Sequence, residues 1–399
     1  MARLLVVGAG PAGLSLALQL ARAGQAVTLV EALPSVGRQL RGDALMPCGQ
    51  EALARMGLSD LLTDLPQRQL EGWSVWVERR RLFSAAEPMG SLQPCRLVPQ
   101  QALLEVLLAQ AGSYPQFQWR PGASVRELLQ RDGRIEGVQL ADGEQLRADL
   151  VLACDGRQSR LRQQAGLQLR SRGEPLELLW FVLPAPVPAE LVPGFLTLVA
   201  GGAIASACRG AKGELQLGWL LQAGERPPQR TAQQWAEAIA ALAPAPLATL
   251  LRRRGAELSA PQRLTVQIGM AERWHRPGLL LLGDAAHPMS PVRAQGINMA
   301  LRDSLVAAER LLAHADQGPA GLDAAAASIE QRRRPEIQRM QALQRAEARQ
   351  GHWLGETALL RTALAQLAPA LGPVVRQLWL TRQKPLREGL ISGISSGGI

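Results

Sequence analysis

The chain has 399 residues, 47% hydrophobic and 20% charged; these proportions exclude a disordered chain and suit a globular protein of about two domains. No apolar run reaches the roughly 18 residues of a transmembrane helix, and the opening Met1–Gly8 lacks the apolar core and cleavage pattern of a signal peptide. A cytoplasmic protein is therefore expected. The net charge of +10 is carried almost wholly by arginine, with Lys212 and Lys384 the only lysines.

Residues 329–389 hold eleven Arg/Lys against five Asp/Glu, so much of the positive charge sits in one segment. Its first reading is a solvated helix face; it also leaves room for peripheral contact with a membrane surface. No nucleic-acid partner is expected. Cys48, Cys95, Cys154 and Cys208 lie far apart, without a C-x-x-C or a nearby histidine pair. Free buried thiols are expected, and no metal site.

Leu4–Val7 reads as a strand buried on both faces, followed by Gly8-Ala9-Gly10-Pro11-Ala12-Gly13 and a helix ending near Gly24. The strand Ala26–Val30 ends in Glu31 and completes a βαβ opening. Helix is expected over Gln50–Met56 and Pro99–Ala111, and strand over Leu70–Phe83, where Trp73, Val75 and Val77 alternate with Ser74, Trp76 and Glu78. Phe117–Leu146 reads as a β-meander turning at Asp132-Gly133 and Asp142-Gly143. Leu150–Cys154 is a buried strand running into Asp155-Gly156. Residues 174–222 look like β-structure, and 228–256 hold a helix (Ala232–Leu242) with an Ala/Pro-rich connection. The strand Leu279–Leu282 ends at Gly283-Asp284, and helix follows from Gly296 to about residue 389. In residues 356–380, Leu359, Leu360, Leu364, Leu367, Leu371, Val374, Val375 and Leu378 can share one face, expected to pack on the protein's own body.

The fold class is thus α/β. A discontinuous Rossmann-like domain (1–65, 95–165 and 265–325) is interleaved with a β-sheet-rich substrate domain (66–94 and 170–262), and a helical region occupies 326–399.

Three motifs carry chemistry. In the first, Gly8 permits a tight turn, Gly10 lets backbone approach a pyrophosphate, and Gly13 lets helix and strand pack closely. Phosphates favour the N–H groups and dipole at the helix start. Glu31 is placed for ribose hydroxyls and disfavours a 2′-phosphate. The second motif is Asp155-Gly156, within Leu150–Arg162. The third is Gly283-Asp284-Ala285-Ala286-His287-Pro288, continuing through Pro291, Arg293, Gly296, Ile297 and Asn298 to Asp303. There Asp284 can take a sugar-chain hydroxyl, and a helix starting near Gly296 can offer N–H groups to a developing anion.

With three motifs in this order, the sequence resembles the single-component flavin monooxygenases of the p-hydroxybenzoate hydroxylase type, in particular the ubiquinone-biosynthesis hydroxylases. The resemblance covers residues 1 to about 310. It implies FAD, with ADP at Gly8, Gly10, Pro11, Ala12, Gly13 and Glu31, and with NAD(P)H as a transient co-substrate shared with FAD at Asp155-Gly156. It places Asp284 on the ribityl chain or pyrophosphate and Gly296, Ile297 and Asn298 by the flavin pyrimidine edge. Arg41 resembles the family arginine near the pyrophosphate, and Gln100 stands where many members carry arginine. The implied activity is hydroxylation of an apolar aromatic or quinone-like small molecule with O2, through a flavin C4a-hydroperoxide.

Two departures stand out. Arg293 replaces the usual glycine before the turn; it either projects into the substrate cavity as a cation, disturbs the flavin, or points to solvent. Tyr114 is the only tyrosine and lies on a loop, so no tyrosine relay is available. Any base is a histidine, a carboxylate or water. His287 is a catalytic candidate beside Arg293, although a structural place beside FAD suits it too, while His275 reads as a surface residue. Trp180, Phe181, Leu183, Phe195, Leu217, Trp219 and Leu220 offer an apolar surface, either substrate-facing or the core of the sheet, with Trp219, Arg209 and Pro291 as substrate candidates. The alternatives are a geranylgeranyl-reductase-like enzyme acting on a prenylated substrate, a flavin halogenase, or a flavoprotein without catalysis. Trp73-Ser74-Val75-Trp76 lacks the Ile-Pro of the halogenase pattern and precedes Asp155-Gly156.

Overall fold

The computed structural model describes residues 2–37, 43–89, 93–171, 175–221 and 224–390. The first layer follows from the buried apolar runs. Strand β1 (Arg3–Val7) leads into helix α1 (Pro11–Arg22) and strand β2 (Ala26–Val30), and helix α2 (Pro47–Arg55) follows. The hairpin of β3 (Gly72–Val77) and β4 (Arg80–Ala86) belongs to a second sheet; its turn places Glu78 and Arg79 at positive φ. Helix α3 (Gln100–Gly112) returns to the first layer, with β5 (Phe117–Arg120) and β6 (Leu150–Ala153).

The second sheet continues with β7 (Leu176–Leu183), β8 (Phe195–Ala200), β9 (Ala203–Arg209) and β10 (Leu215–Leu221). Helices α4 (Ala232–Ala240) and α5 (Ala245–Arg254) cover it, and β11 (Gln262–Val266) closes its far edge. Strands β12 (His275–Arg276) and β13 (Leu279–Leu281) rejoin the first sheet. Four helices follow: α6 (Gln295–His314), α7 (Gly318–Glu356), α8 (Ala358–Gln366) and α9 (Ala368–Glu388).

The first sheet has the order β12-β13-β6-β1-β2-β5 and is parallel except for β12. Its parallel strands run third, second, first, fourth, fifth in sequence, so the order reverses beside β1. A doubly wound sheet binds its ligand in the crevice at that reversal. The second sheet, β11-β7-β10-β9-β8-β3-β4, is antiparallel except where β8 meets β3. Leu179, Phe181, Leu183, Leu196, Leu198, Leu215, Leu217 and Trp219 pack with Trp235, Ile239, Leu247 and Leu251 of α4 and α5. Side chains alternate along a strand, so Trp180, Phe195, Ser206, Gln216, Gly218 and Leu220 face the other way. That inner face meets the first layer, where Trp73 and its neighbour Phe195 (ring centroids 5.0 Å apart) join the main core.

Four local expectations change. Phe117–Arg120 is not part of the meander; it pairs with β2 in the parallel sheet, because its residues continue a βαβ crossover. The Ala/Pro-rich connection after Leu242 is the helix α5, with Pro246 in its first turn, where a missing N–H costs nothing. His275 is not a bare surface residue: its Nδ1 lies 2.8 Å from Glu330. The apolar stripe of residues 356–380 is only partly covered: Val375 packs beside Phe83 and Ala368, whereas Leu359, Leu367, Leu371, Val374 and Leu378 are exposed. Among the described residues no single helix is long and apolar enough to cross a membrane. The four cysteines are free and buried.

Candidate active site

At the end of β1 the chain turns at Gly8 with φ of +102°. A β-carbon there would collide with the backbone carbonyl of Cys154 at the end of β6, and one on Gly13 would strike the Gly8 carbonyl. Only glycine lets the two strand ends and α1 approach this closely. Gly10 differs: no atom lies within 4 Å of where its β-carbon would be. It caps α1, and Leu14 N donates to its carbonyl at 3.0 Å. The Ala9 to Gly13 backbone is thus a cradle open on one side, with helix-start N–H groups facing it. Glu31 stands at the rim; its carboxylate accepts from Ala9 N (2.8 Å) and Leu33 N (3.0 Å).

The other two motifs converge here. Leu282 N donates to Ala153 O, and a β-carbon on Gly283 would sit 3.2 Å from Ala12. Asp284 accepts from Arg157 Nε at 3.1 Å. Asp155 accepts from Leu161 N, while its buried Oδ1 has no partner among the described residues; burial raises its pKa above the usual carboxylate value. Apart from its chain neighbours, a β-carbon on Gly156 would meet nothing within 4 Å, and one on Gly296 would meet only Asp284 Oδ1, at 4.0 Å. Asn298 is fully buried and joins distant segments: its Oδ1 accepts from Met46 N (2.9 Å), and its Nδ2 donates to Ala44 O (3.1 Å) and Ala294 O (2.7 Å). Ile297 lies buried beside it. Gln100 opens α3, and its backbone N–H donates to Asp43 at 3.3 Å. Arg41 lies outside the described residues.

These features fit FAD. An open glycine cradle at a helix start suits the pyrophosphate, Glu31 suits the ribose, and the orphaned Asp155 oxygen with the space at Gly156 and Gly296 continues the groove along the strand ends.

The remaining candidates lie as follows. Arg293 does not project as a free cation. It sits between the rings of Trp73 (4.6 Å) and Trp379 (4.9 Å) and forms an ion pair with Glu347, its Nε 2.9 Å away. Its φ of +59° and the +50° of Ala294 explain why glycine suits this position, since an L side chain is strained there. Stacking and ion pairing oppose that strain. His287 is 1% exposed, stacked on Trp274 and bonded through Nε2 to Asp303 at 2.6 Å, while Asp303 Oδ2 also accepts from Gly283 N. It therefore supports the Gly283-Asp284 turn from beneath and does not reach the substrate face. Trp219 faces α4, edge-on to Trp235 at 5.7 Å, because the alternation of β10 turns it away from the inner face. Arg209 shares the α4/α5 side with Ala205 and Ala207, and its Nη1 reaches Val187 O at 3.5 Å. Pro291 stays in the turn ahead of α6, where its carbonyl accepts from Ala294 N. Tyr114 follows α3 and packs against the first core.

Sequence reasoning missed the groups that close the site. Glu347 and Trp379 hold Arg293 from α7 and α9. Arg387 near the end of α9 makes a bidentate pair with Glu87 (2.5 and 2.6 Å), both almost fully buried, and Glu87 also accepts from Trp73 Nε1 at 2.7 Å. Between α6 and α7, Asp303, Arg333, Glu336 and Arg302 form a buried ionic chain. Burial alone would raise Asp303, but the charges of His287 and Arg333 outweigh it and hold the carboxyl down to about 2. Asp43 behaves in the opposite way. Its carboxylate takes Gln100 N and Gln216 Nε2 (3.0 Å), both neutral donors, and burial pushes it up to about 6. Asp43 stands two residues after Arg41 in sequence; the others follow no local pattern.

Comparison with known proteins agrees with this geometry. Residues 1–343 match the FAD binding domain family. The 6-methylpretetramide 4-monooxygenase of Streptomyces rimosus is 34% identical over 388 residues, covering 94% of this chain and 91% of that protein. The ubiquinone hydroxylase UbiL of Rhodospirillum rubrum is 30% identical, covering 94% of this chain and 88% of that protein. The same fold recurs in p-nitrophenol 4-monooxygenase PnpA of Pseudomonas putida (TM-score 0.78, 21% identity, 98% of this chain and 99% of that one). On the family match and its accord with the three-motif cradle, the chain belongs to the FAD binding domain family and is an FAD-dependent monooxygenase that uses an aromatic small molecule, O2 and NAD(P)H.

Proposed function

We propose that the chain hydroxylates a polycyclic phenol or a related hydroxyquinone. The observation that carries this reading is the inner face of the second sheet. It presents Trp73, Trp180, Phe195 and Leu220 together with Ser206 and Gln216, and Arg293 in the turn ahead of α6 stacks on Trp73. Flat aromatic side chains with a few polar groups suit a fused-ring ligand bearing hydroxyls. The relative from Streptomyces rimosus, named for a pretetramide, supports a fused-ring substrate. The monooxygenase and hydroxylase names of the relatives disfavour the reductase reading.

Bound FAD supplies the activation of O2, with NAD(P)H as the electron source. The protein's own groups bind and orient. Gly10 and the start of α1 would hold the pyrophosphate, and Glu31 the adenosine ribose. Asp155 and Asp284 would take sugar or ribityl hydroxyls, and the α6 N–H groups at Gly296 and Ile297 would serve the flavin ring. Asn298 ties the start of α6 to Ala44 and Met46. The Arg293–Glu347 pair between Trp73 and Trp379 closes the side of the site beneath α9 and helps to exclude water.

The test is incubation of the FAD-loaded protein with NADH or NADPH and a set of phenols: 1-naphthol, 1,8-dihydroxyanthraquinone and a tetracyclic phenol. Products are then analysed by mass. A gain of one oxygen atom supports the reading. Hydrogen gain without oxygen, or no product from any of the phenols, overturns it.

A further inference from the structure

We propose that Asp43, braced by Gln216, is the proton acceptor for the ring hydroxyl of the substrate. This rests on the phenolic reading above and answers the question left by the missing tyrosines.

A phenol is activated toward oxygen insertion by losing its proton, because the phenolate places more electron density on the ring. The only tyrosine, Tyr114, follows α3 and packs against the first core, and His287 is sealed under the Gly283-Asp284 turn. Of the carboxylates near the inner face, Glu347 is paired with Arg293 and Glu87 with Arg387. A carboxylate held by a guanidinium is a poor base. Asp43 has no such pairing among the described residues.

Its location is defined by four contacts. One residue after it, Ala44 offers its carbonyl to Asn298, which fixes it to the start of α6. Its own carbonyl accepts from Val98 N at 2.8 Å. Oδ1 accepts from Gln100 N at the head of α3. Oδ2 accepts from Gln216 Nε2, and Gln216 belongs to the inner face of β10 beside Cys208 of β9. Asp43 thus stands where the flavin domain meets the substrate sheet. It is half-buried at this junction.

Among the described residues, the charged and titratable groups around it are Glu214, Lys212 and Cys208. Glu214 shares Gln216 Nε2 with it at 3.0 Å and disfavours its ionisation; Lys212 favours it from the surface, and the Cys208 thiol lies alongside. Burial is the largest influence, and together these push Asp43 up to about 6. A base in that range is mostly ionised at neutral pH yet holds a proton well enough to remove one in the transition state. In the proposed step the hydroxyl O–H bond breaks, its electron pair stays on the phenolate oxygen, and the proton goes to a carboxylate oxygen of Asp43. It leaves for solvent after the product departs. Gln216 is a positioning residue: its amide nitrogen donates to Asp43 Oδ2 and to Glu214 Oε1 and so holds the acceptor in place.

The test compares the FAD-loaded wild type with Asp43→Asn and Asp43→Glu, using the phenols above. Flavin content is measured first by absorbance and is expected to be unchanged. In the wild type kcat should rise with pH through a limb near 6. Asp43→Asn should lower kcat by about 10²-fold, the low end for a general base, abolish that limb and leave KM within a few-fold. Asp43→Glu should restore the limb, shifted. Melting temperature against pH gives a readout without substrate: Asp43→Asn should raise it at pH 8 relative to pH 5. A variant Asp43→Asn that keeps both rate and limb overturns the assignment. So does a loss of rate with the limb intact, or an equal loss of stability at both pH values, either of which marks a purely structural tie. If the wild type oxidises none of the phenols, the phenolic reading itself has failed and this inference falls with it.

Discussion

Arg293 offers the sharpest check on the backbone reasoning, through two substitutions that remove the same side chain. Either Arg293→Ala or Arg293→Gly deletes two stacking contacts, with Trp73 and Trp379, and the ion pair with Glu347. Each stack contributes about 0.5–1 kcal/mol. Removing one partner of a fully buried pair costs about 3–5 kcal/mol. Less applies here, because Glu347 is 23% exposed and keeps Gln383 as a donor at 3.3 Å. The alanine variant should therefore lose about 2–4 kcal/mol. The glycine variant loses the same contacts but escapes the left-handed strain of about 1–2 kcal/mol, offset in part by the greater unfolded-state entropy of glycine, about 0.5–1 kcal/mol. Glycine should thus be the more stable of the two by about 0.5–1 kcal/mol. Urea unfolding of the FAD-loaded proteins, followed by flavin fluorescence, measures this. An alanine variant as stable as the glycine variant would refute the claim that strain at residue 293 is opposed by its side chain.

Two further outcomes follow from the site. Gly10→Val, which fills the open side of the cradle, should abolish flavin absorbance in a folded protein, and Glu31→Arg should do the same by removing the ribose acceptor; a yellow Gly10→Val protein would contradict the placement of the pyrophosphate. Asp303 has a folded pKa of about 2, below its unfolded value, so its contribution to stability is present above pH 4 and is lost as pH falls toward 2. Asp303→Asn should therefore lower the melting temperature at pH 7 and leave little difference near pH 2, which thermal scans across that range would show.

Much of the cofactor half was legible because its rules are local. A glycine that must turn at φ +102°, an acidic residue at a strand end and a helix start all lie within 31 residues. The substrate half was harder to read, because which face of a strand looks inward depends on where the covering helices lie. Trp219 and Gln216 are three residues apart on one strand, yet only the placement of α4 shows that the tryptophan faces outward. Arg293 was recognised as a departure, but its partners Glu347 and Trp379 come from helices 54 and 86 positions later. Asp43 lies two residues after Arg41, and what distinguishes it, neutral donors from two separate elements, exists only in the folded chain.

The central claim is that the protein, with FAD bound, inserts one atom of O2 into an aromatic ring. Turnover of the phenols under 18O2 tests it directly. The account predicts one 18O atom in the product for each coupled NAD(P)H oxidised. A product whose new oxygen comes from water, or a reaction that proceeds equally well without O2, would contradict it.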